Sequence, residues 1–93
     1  MNFMFALIIL EFYVQVKGVF MTTLGERLKM LRKEKRLTQV QLAEFLKQTP
    51  RAYQYCEAGR HAPELPNLIA LADFYDVSLD YLVGRSETRE RQP

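Results

Sequence analysis

Leu37-Thr38-Gln39-Val40-Gln41-Leu42-Ala43-Glu44-Phe45-Leu46-Lys47-Gln48-Thr49-Pro50-Arg51-Ala52-Tyr53-Gln54-Tyr55-Cys56-Glu57-Ala58-Gly59-Arg60 contains two helix starts in close succession. Thr38 with Gln41 three residues on has the form of a capping box, and Leu37 with Leu42 that of a hydrophobic staple. Leu42, Ala43 and Leu46 give this short helix its buried side. Thr49 caps the next helix, and Pro50 at its first position brings a suitable φ and no amide to leave unpaired. Tyr53 and Cys56 point inward at i, i+3, which leaves Arg51, Ala52, Gln54 and Tyr55 off the buried stripe. Gly59 supplies a stop. The spacing therefore predicts two short helices meeting at a rigid corner, Lys47-Gln48, with small Ala43 permitting close approach.

Outward from this pair, more short helices follow. Thr23-Leu24-Gly25-Glu26 has capping-box form, and Leu24, Leu28 and Leu31 fall at i, i+4, i+7. Lys33, Lys35 and Arg36 suit the negative end of that helix's dipole. A fourth helix is expected from about Pro66 to Tyr75, burying Leu68, Leu71, Ala72 and Tyr75. Ser78 caps a fifth, with Leu79, Leu82 and Val83 apolar and Gly84 as its end. No convincing strand falls between Thr22 and Gly84. The expectation is an all-α fold of five short helices.

Composition narrows the function classes. Ninety-three residues allow one small domain with short appendages. Hydrophobic residues at 48% and charged residues at 26% argue against wholesale disorder. Cys56 is the only cysteine, so no internal disulfide forms, and with His61 it makes too few ligands for a structural zinc. The single His, the lack of a Gly-rich phosphate loop and the lack of a metal cluster leave no catalytic set. No cofactor, no metal and no enzymatic activity are expected. The net charge of +2 hides a gradient: residues 22–61 hold nine Lys and Arg against four Glu, whereas residues 62–84 hold four acids and no base. Such polarity steers a polyanion onto one face, although unevenly distributed solvated charges would look the same.

The quoted stretch, together with Leu68-Ile69-Ala70-Leu71-Ala72-Asp73-Phe74-Tyr75-Asp76-Val77-Ser78-Leu79-Asp80-Tyr81-Leu82-Val83-Gly84, resembles the phage-repressor (XRE-like) helix-turn-helix family. The resemblance runs without gaps over residues 24–84. It implies a compact five-helix DNA-binding domain whose second and third helices form the helix-turn-helix, the third lying in a major groove. By position it places Gln39 at a phosphate while bracing the recognition helix, and Arg51 at a base edge, where a guanidinium can bond guanine O6 and N7. Ala52 would meet a thymine methyl, Gln54 would lie nearer the backbone, and Arg60 would hold phosphate. Tyr55 reads equally as a DNA contact or as packing. Thr49 and Pro50 complete the implied DNA face. Arg32 and Glu57 are the implied structural ion pair, tying the recognition helix to the first helix.

Three positions depart from the family pattern. Lys47 stands at the corner usually held by Gly with positive φ, at a cost of up to ~1–2 kcal/mol. Pro50 offers no side-chain hydrogen bond at the first recognition position, so base readout leans on Arg51 and Tyr55. Cys56 replaces a larger apolar residue and reads as core rather than as a redox switch. His61 reads as a loop residue, and Phe74, Tyr75 and Tyr81 as core or dimer contacts.

The ends lie outside the resemblance. Residues 1–21 form an apolar N-terminal extension in which Phe3 to Leu10 is uninterrupted but too short to span a bilayer. With no basic lead and no small-residue cleavage site, it is a poor signal peptide. Three readings stay open: a mis-assigned upstream start, with Met21-Thr22-Thr23 as the natural one; a strand pairing between subunits; and a membrane-surface anchor. Residues 22–84 are the DNA-binding domain, and residues 85–93 are expected to be a charged, disordered tail.

The function expected from the resemblance is a sequence-specific transcriptional regulator, a repressor by type. It would act as a homodimer on a two-fold operator in double-stranded DNA, in the cytoplasm at the nucleoid and without a membrane. The alternative is an antitoxin-like module that binds a protein partner and uses DNA for autoregulation.

Overall fold

The computed structural model describes residues 23–91, and the readings made for residues 1–22, 92 and 93 lie outside the described residues. Among the described residues there are five helices and no strand: α1 over 23–34, α2 Gln39–Phe45, α3 Pro50–Glu57, α4 Leu65–Tyr75 and α5 Leu79–Leu82. The caps of α2, α3 and α5 are those expected from the sequence. The Gln41 amide donates to Thr38 Oγ1 at 3.1 Å, and the Thr38 amide donates back to Gln41 Oε1 at 2.8 Å. Thr49 Oγ1 accepts from the Ala52 amide at 3.1 Å, and Ser78 Oγ from the Tyr81 amide at 2.9 Å. The first helix differs. Thr23 is already helical, so it is not the cap expected of it. The fourth helix begins one residue earlier than expected, at Leu65, with Glu64 as a cap that makes no side-chain hydrogen bond.

One core unites all five helices. Leu24, Leu28 and Leu31 from α1 meet Leu42, Ala43 and Leu46 around α2 and Tyr53 and Cys56 from α3. Leu68, Leu71, Ala72 and Tyr75 from α4, with Val77, Tyr81 and Leu82, close it. The apolar side of α5 is met in part: Leu82 goes inward, as does Tyr81, read as a core or dimer contact, while Leu79 and Val83 are only partly buried. Four residues are a single turn, too little for an apolar period to fix which face turns in. A further constraint is the Arg27 guanidinium, 4.2 Å from the centre of the Tyr81 ring and bonded to the Tyr81 carbonyl.

All five helices end in the same way. At each end an amide bonds a carbonyl five residues back while the amide before it bonds one three residues back, the Schellman pattern. The pairs are Leu37 to Arg32 with Arg36 to Lys33, and Gln48 to Ala43 with Lys47 to Glu44. Arg60 to Tyr55 with Gly59 to Cys56, Val77 to Ala72 with Asp76 to Asp73, and Arg85 to Asp80 with Gly84 to Tyr81 complete the set. The pivots Gly59 and Gly84 have φ of 76° and 86°, but Arg36, Lys47 and Asp76 take φ of 57°, 57° and 53° with a Cβ present. Lys47 is the corner of the helix-turn-helix, and its exposed side chain makes no ion pair among the described residues. Lys47→Gly is expected to stabilise the domain by about 0.5–1 kcal/mol, because relief of left-handed strain outweighs glycine's greater unfolded-state freedom. Thermal unfolding checks this, and the midpoint should rise by about 2–8 °C.

Residues 85–91, read from the sequence as part of a charged tail, turn back along the domain. The Ser78 amide donates to the Arg89 carbonyl at 2.8 Å, and Arg27 donates to the Ser86 carbonyl at 2.8 Å and to Glu87 at 3.1 Å. Arg89 reaches Glu34 at 3.1 Å and the Tyr81 hydroxyl at 3.3 Å, and Arg91 pairs with Asp73. Glu87, Arg89 and Arg91 thus meet partners on α1, α4 and α5.

Candidate nucleic-acid interface

The two faces of α3 do different work. Its inner face is anchored by Tyr53 and Cys56, both essentially inaccessible to water, and by Glu57 at its end. Arg32 on α1 grips the Glu57 carboxylate with both arms of its guanidinium, Nε to Oε2 at 2.7 Å and Nη2 to Oε1 at 3.1 Å. Its remaining arm donates to the Leu37 carbonyl at 2.9 Å. Gln39, at the first turn of α2, donates to Glu57 Oε1 at 3.2 Å. One carboxylate therefore joins α1, the start of α2 and the end of α3. The side chains of Arg32 and Glu57 are 11% and 3% exposed, so this is a shielded pair and not a surface contact.

Protonation follows from this geometry. Burial pushes the Glu57 carboxyl up, but bonds from Arg32 and Gln39, with the Tyr53 hydroxyl alongside, outweigh it and leave the group below its ordinary value. The hydroxyls of Tyr53 and Tyr75 are buried without hydrogen-bond geometry to any partner among the described residues. Burial first, and Glu57 after it, holds the Tyr53 phenol far above its usual range and pushes that of Tyr75 up to about 12. Burial also raises the Cys56 thiol, with Glu57 adding to it. A neutral, enclosed thiol is a packing group, as the sequence suggests.

The outer face of α3 gathers most of the residues singled out in the sequence. Thr49, Arg51, Ala52, Tyr55 and Arg60 line one shallow concavity, and His61 joins them. Pro50 and Gln54 are exposed on the same helix. Arg51 Nε donates to the Tyr55 hydroxyl at 2.9 Å, and the Arg51 and Arg60 guanidinium carbons lie 5.6 and 5.9 Å from the centre of the Tyr55 ring. Among the described residues, the acids within ion-pair reach of an arginine belong to Arg27, Arg32, Arg89 and Arg91, and none to Arg51 or Arg60. Gln39 is the exception to this grouping: its side chain turns to Glu57, behind the helix, which suits bracing. His61, read as a loop residue beside Arg60, does lie outside the helices and also lines this concavity. No cluster of three or more metal-binding side chains occurs among the described residues, and none of their helices is long and apolar enough to cross a membrane.

Comparison with known proteins agrees with this architecture. A family model described as helix-turn-helix matches residues 28–82. Over 67 residues, 72% of the chain, it is 42% identical to the HTH-type transcriptional regulator YqaE of Bacillus subtilis, of which it covers 57%. It is 37% identical to the cryptic phage CTXphi transcriptional repressor RstR of Vibrio cholerae, over 72% of the chain and 60% of that protein. It is 39% identical to the immunity repressor protein of Bacillus phage phi105, over 67% of the chain and 43% of that protein. The chain thus spans about half the length of the curated relatives it matches. No solved structure gives a significant match. The chain belongs to the XRE-type helix-turn-helix family, a family of DNA-binding transcriptional regulators and phage repressors and not of enzymes.

Proposed function

We propose that this chain represses or otherwise regulates transcription by binding a two-fold operator in double-stranded DNA as a homodimer, with α3 in the major groove. The observation that carries the reading is the division of α3: an inner face immobilised by Tyr53, Cys56 and the Arg32–Glu57–Gln39 cluster, and an outer face where Arg51 and Arg60 have no acid partner among the described residues. A helix fixed from behind presents its outer side chains in one register, which base readout requires. Arg51 is the proposed base reader, with Ala52 and Tyr55 beside it, and Thr49, Pro50, Gln54 and Arg60 follow the backbone. Gln39 supports the helix and presents the start of α2 to phosphate. The protein would act at the nucleoid.

Selection of bound sequences from a random duplex pool tests the reading. The full chain should enrich a palindrome, and Arg51→Ala should relax preference at one base pair of each half-site, by about 1–3 kcal/mol of discrimination. If the dimer neutralises about six to ten phosphates, log K should fall against log salt with a slope of roughly −5 to −9. A flat salt dependence, or no enriched sequence, would sink the reading and turn attention to a protein partner.

A further inference from the structure

Arg51 and Tyr55 stand four residues apart, so their side chains share one face of α3. The contact they make decides which part of the guanidinium is available. Arginine can present two forks to a planar acceptor, one made by Nε with one Nη and one made by both Nη groups. Here Nε is already donated to the Tyr55 hydroxyl at 2.9 Å. Only the end-on fork of two Nη groups is left to face outward. The Tyr55 ring is flanked by Arg60 at 5.9 Å as well as by Arg51 at 5.6 Å, and Tyr55 is itself half-buried while Arg51 is exposed. The ring is therefore a fixed post and the arginine is the part it holds.

We propose that Tyr55 is a positioning residue: it orients Arg51 end-on so that the two Nη groups read a guanine, and it does not itself contact base or phosphate. The inference rests on the DNA-binding reading above. Its chemical basis is that guanine alone offers two acceptors, O6 and N7, side by side on the major-groove edge, the spacing an end-on fork matches. A free arginine would sample both forks and many rotamers, and holding one of them in advance removes part of the ordering cost on binding. Pro50, with no polar side chain at the first recognition position, leaves this unit as the main source of hydrogen-bonded readout on α3.

The test uses the full chain with the palindrome it selects, and that site changed at each base pair in turn. Tyr55→Phe keeps the ring and removes the hydroxyl. It is expected to reduce discrimination about three- to tenfold, the worth of one hydrogen bond, at a single G·C pair per half-site. That pair should be the one relaxed by Arg51→Ala, and adding Tyr55→Phe to Arg51→Ala should change nothing further. Arg51→Lys, which lacks a fork, should lose the same discrimination while keeping non-specific affinity and salt slope. A melting curve of Tyr55→Phe matching wild type shows that the helix is intact. A uniform loss of affinity across all sites would make Tyr55 a phosphate contact and overturn the inference. Relaxation at a different base pair, at a pair other than G·C, or at none would overturn it as well. These outcomes presuppose that wild type selects a palindrome; if it selects none, the DNA-binding reading itself fails.

Discussion

Glu57→Ala is expected to cost about 3–5 kcal/mol of folding stability, because it strands the Arg32 guanidinium in a shielded site with no acid to answer it. Arg32 loses two charge-assisted bonds, and Gln39 loses its acceptor in the same step. For a domain of this size such a loss is a large fraction of the total. The pair itself is a different quantity from its half. Replacing both members with apolar residues of similar bulk, Arg32→Met with Glu57→Leu, removes the attraction and both desolvation costs together. The double variant should therefore be more stable than Glu57→Ala. Urea unfolding followed by far-ultraviolet circular dichroism measures all three chains, and a double variant less stable than Glu57→Ala would overturn this account. The pH dependence has a defined sign. The folded Glu57 carboxyl lies below its ordinary value, so between the folded and unfolded pKa the unfolded chain binds more protons. Its contribution is present above the usual carboxylate range and is lost as pH falls through the lowered folded value. The gap between wild type and Glu57→Ala should accordingly narrow on acidification below about pH 4.

How much of this was legible beforehand depended on whether a feature was local. The helix-turn-helix was, because Thr38, Gln41, Thr49 and Pro50 each act within one turn of themselves. The start of α1 was not: Thr23 and Glu26 satisfy the capping-box pattern, yet Thr23 is itself helical and does not cap. The pivots Arg36 and Asp76 were invisible because a Schellman end is a backbone arrangement that side chains tolerate rather than encode. The fold-back of residues 85–91 was hidden for the opposite reason. Its partners, Arg27 for Glu87 and Glu34 for Arg89, lie more than fifty residues away, and charge alone does not pair residues at that separation. For the candidate site, the positions came from the family resemblance, and most of them lie together on the outer face of α3. The Arg51–Tyr55 contact was available from i, i+4 spacing. The inward turn of Gln39 was not, since it depends on where α3 ends.

Gly25→Ala is the second large effect, and simple propensity gives it the wrong sign. Gly25 lies within α1, where alanine is favoured over glycine by about 1 kcal/mol. Yet a Cβ at this position would lie 2.4 Å from the Glu57 carbonyl oxygen and 2.9 Å from that of Cys56. Both are backbone atoms and cannot swing aside as a side-chain tip would. The methyl must push α1 away from the end of α3. Overpacking of this kind costs about 1–3 kcal/mol and occasionally more. Here the same displacement also stretches the Arg32–Glu57 grip, which spans the two helices a few residues away. The net expectation is a loss of about 2–3 kcal/mol, or roughly 8–20 °C in melting midpoint. Lys29→Ala, at an exposed position of the same helix, should stay within about 0.5 kcal/mol of wild type and isolates the steric effect from helix propensity. A rise in midpoint for Gly25→Ala would mean that α1 and α3 are not in close contact. A fall would establish that the recognition helix is held at a distance only glycine permits.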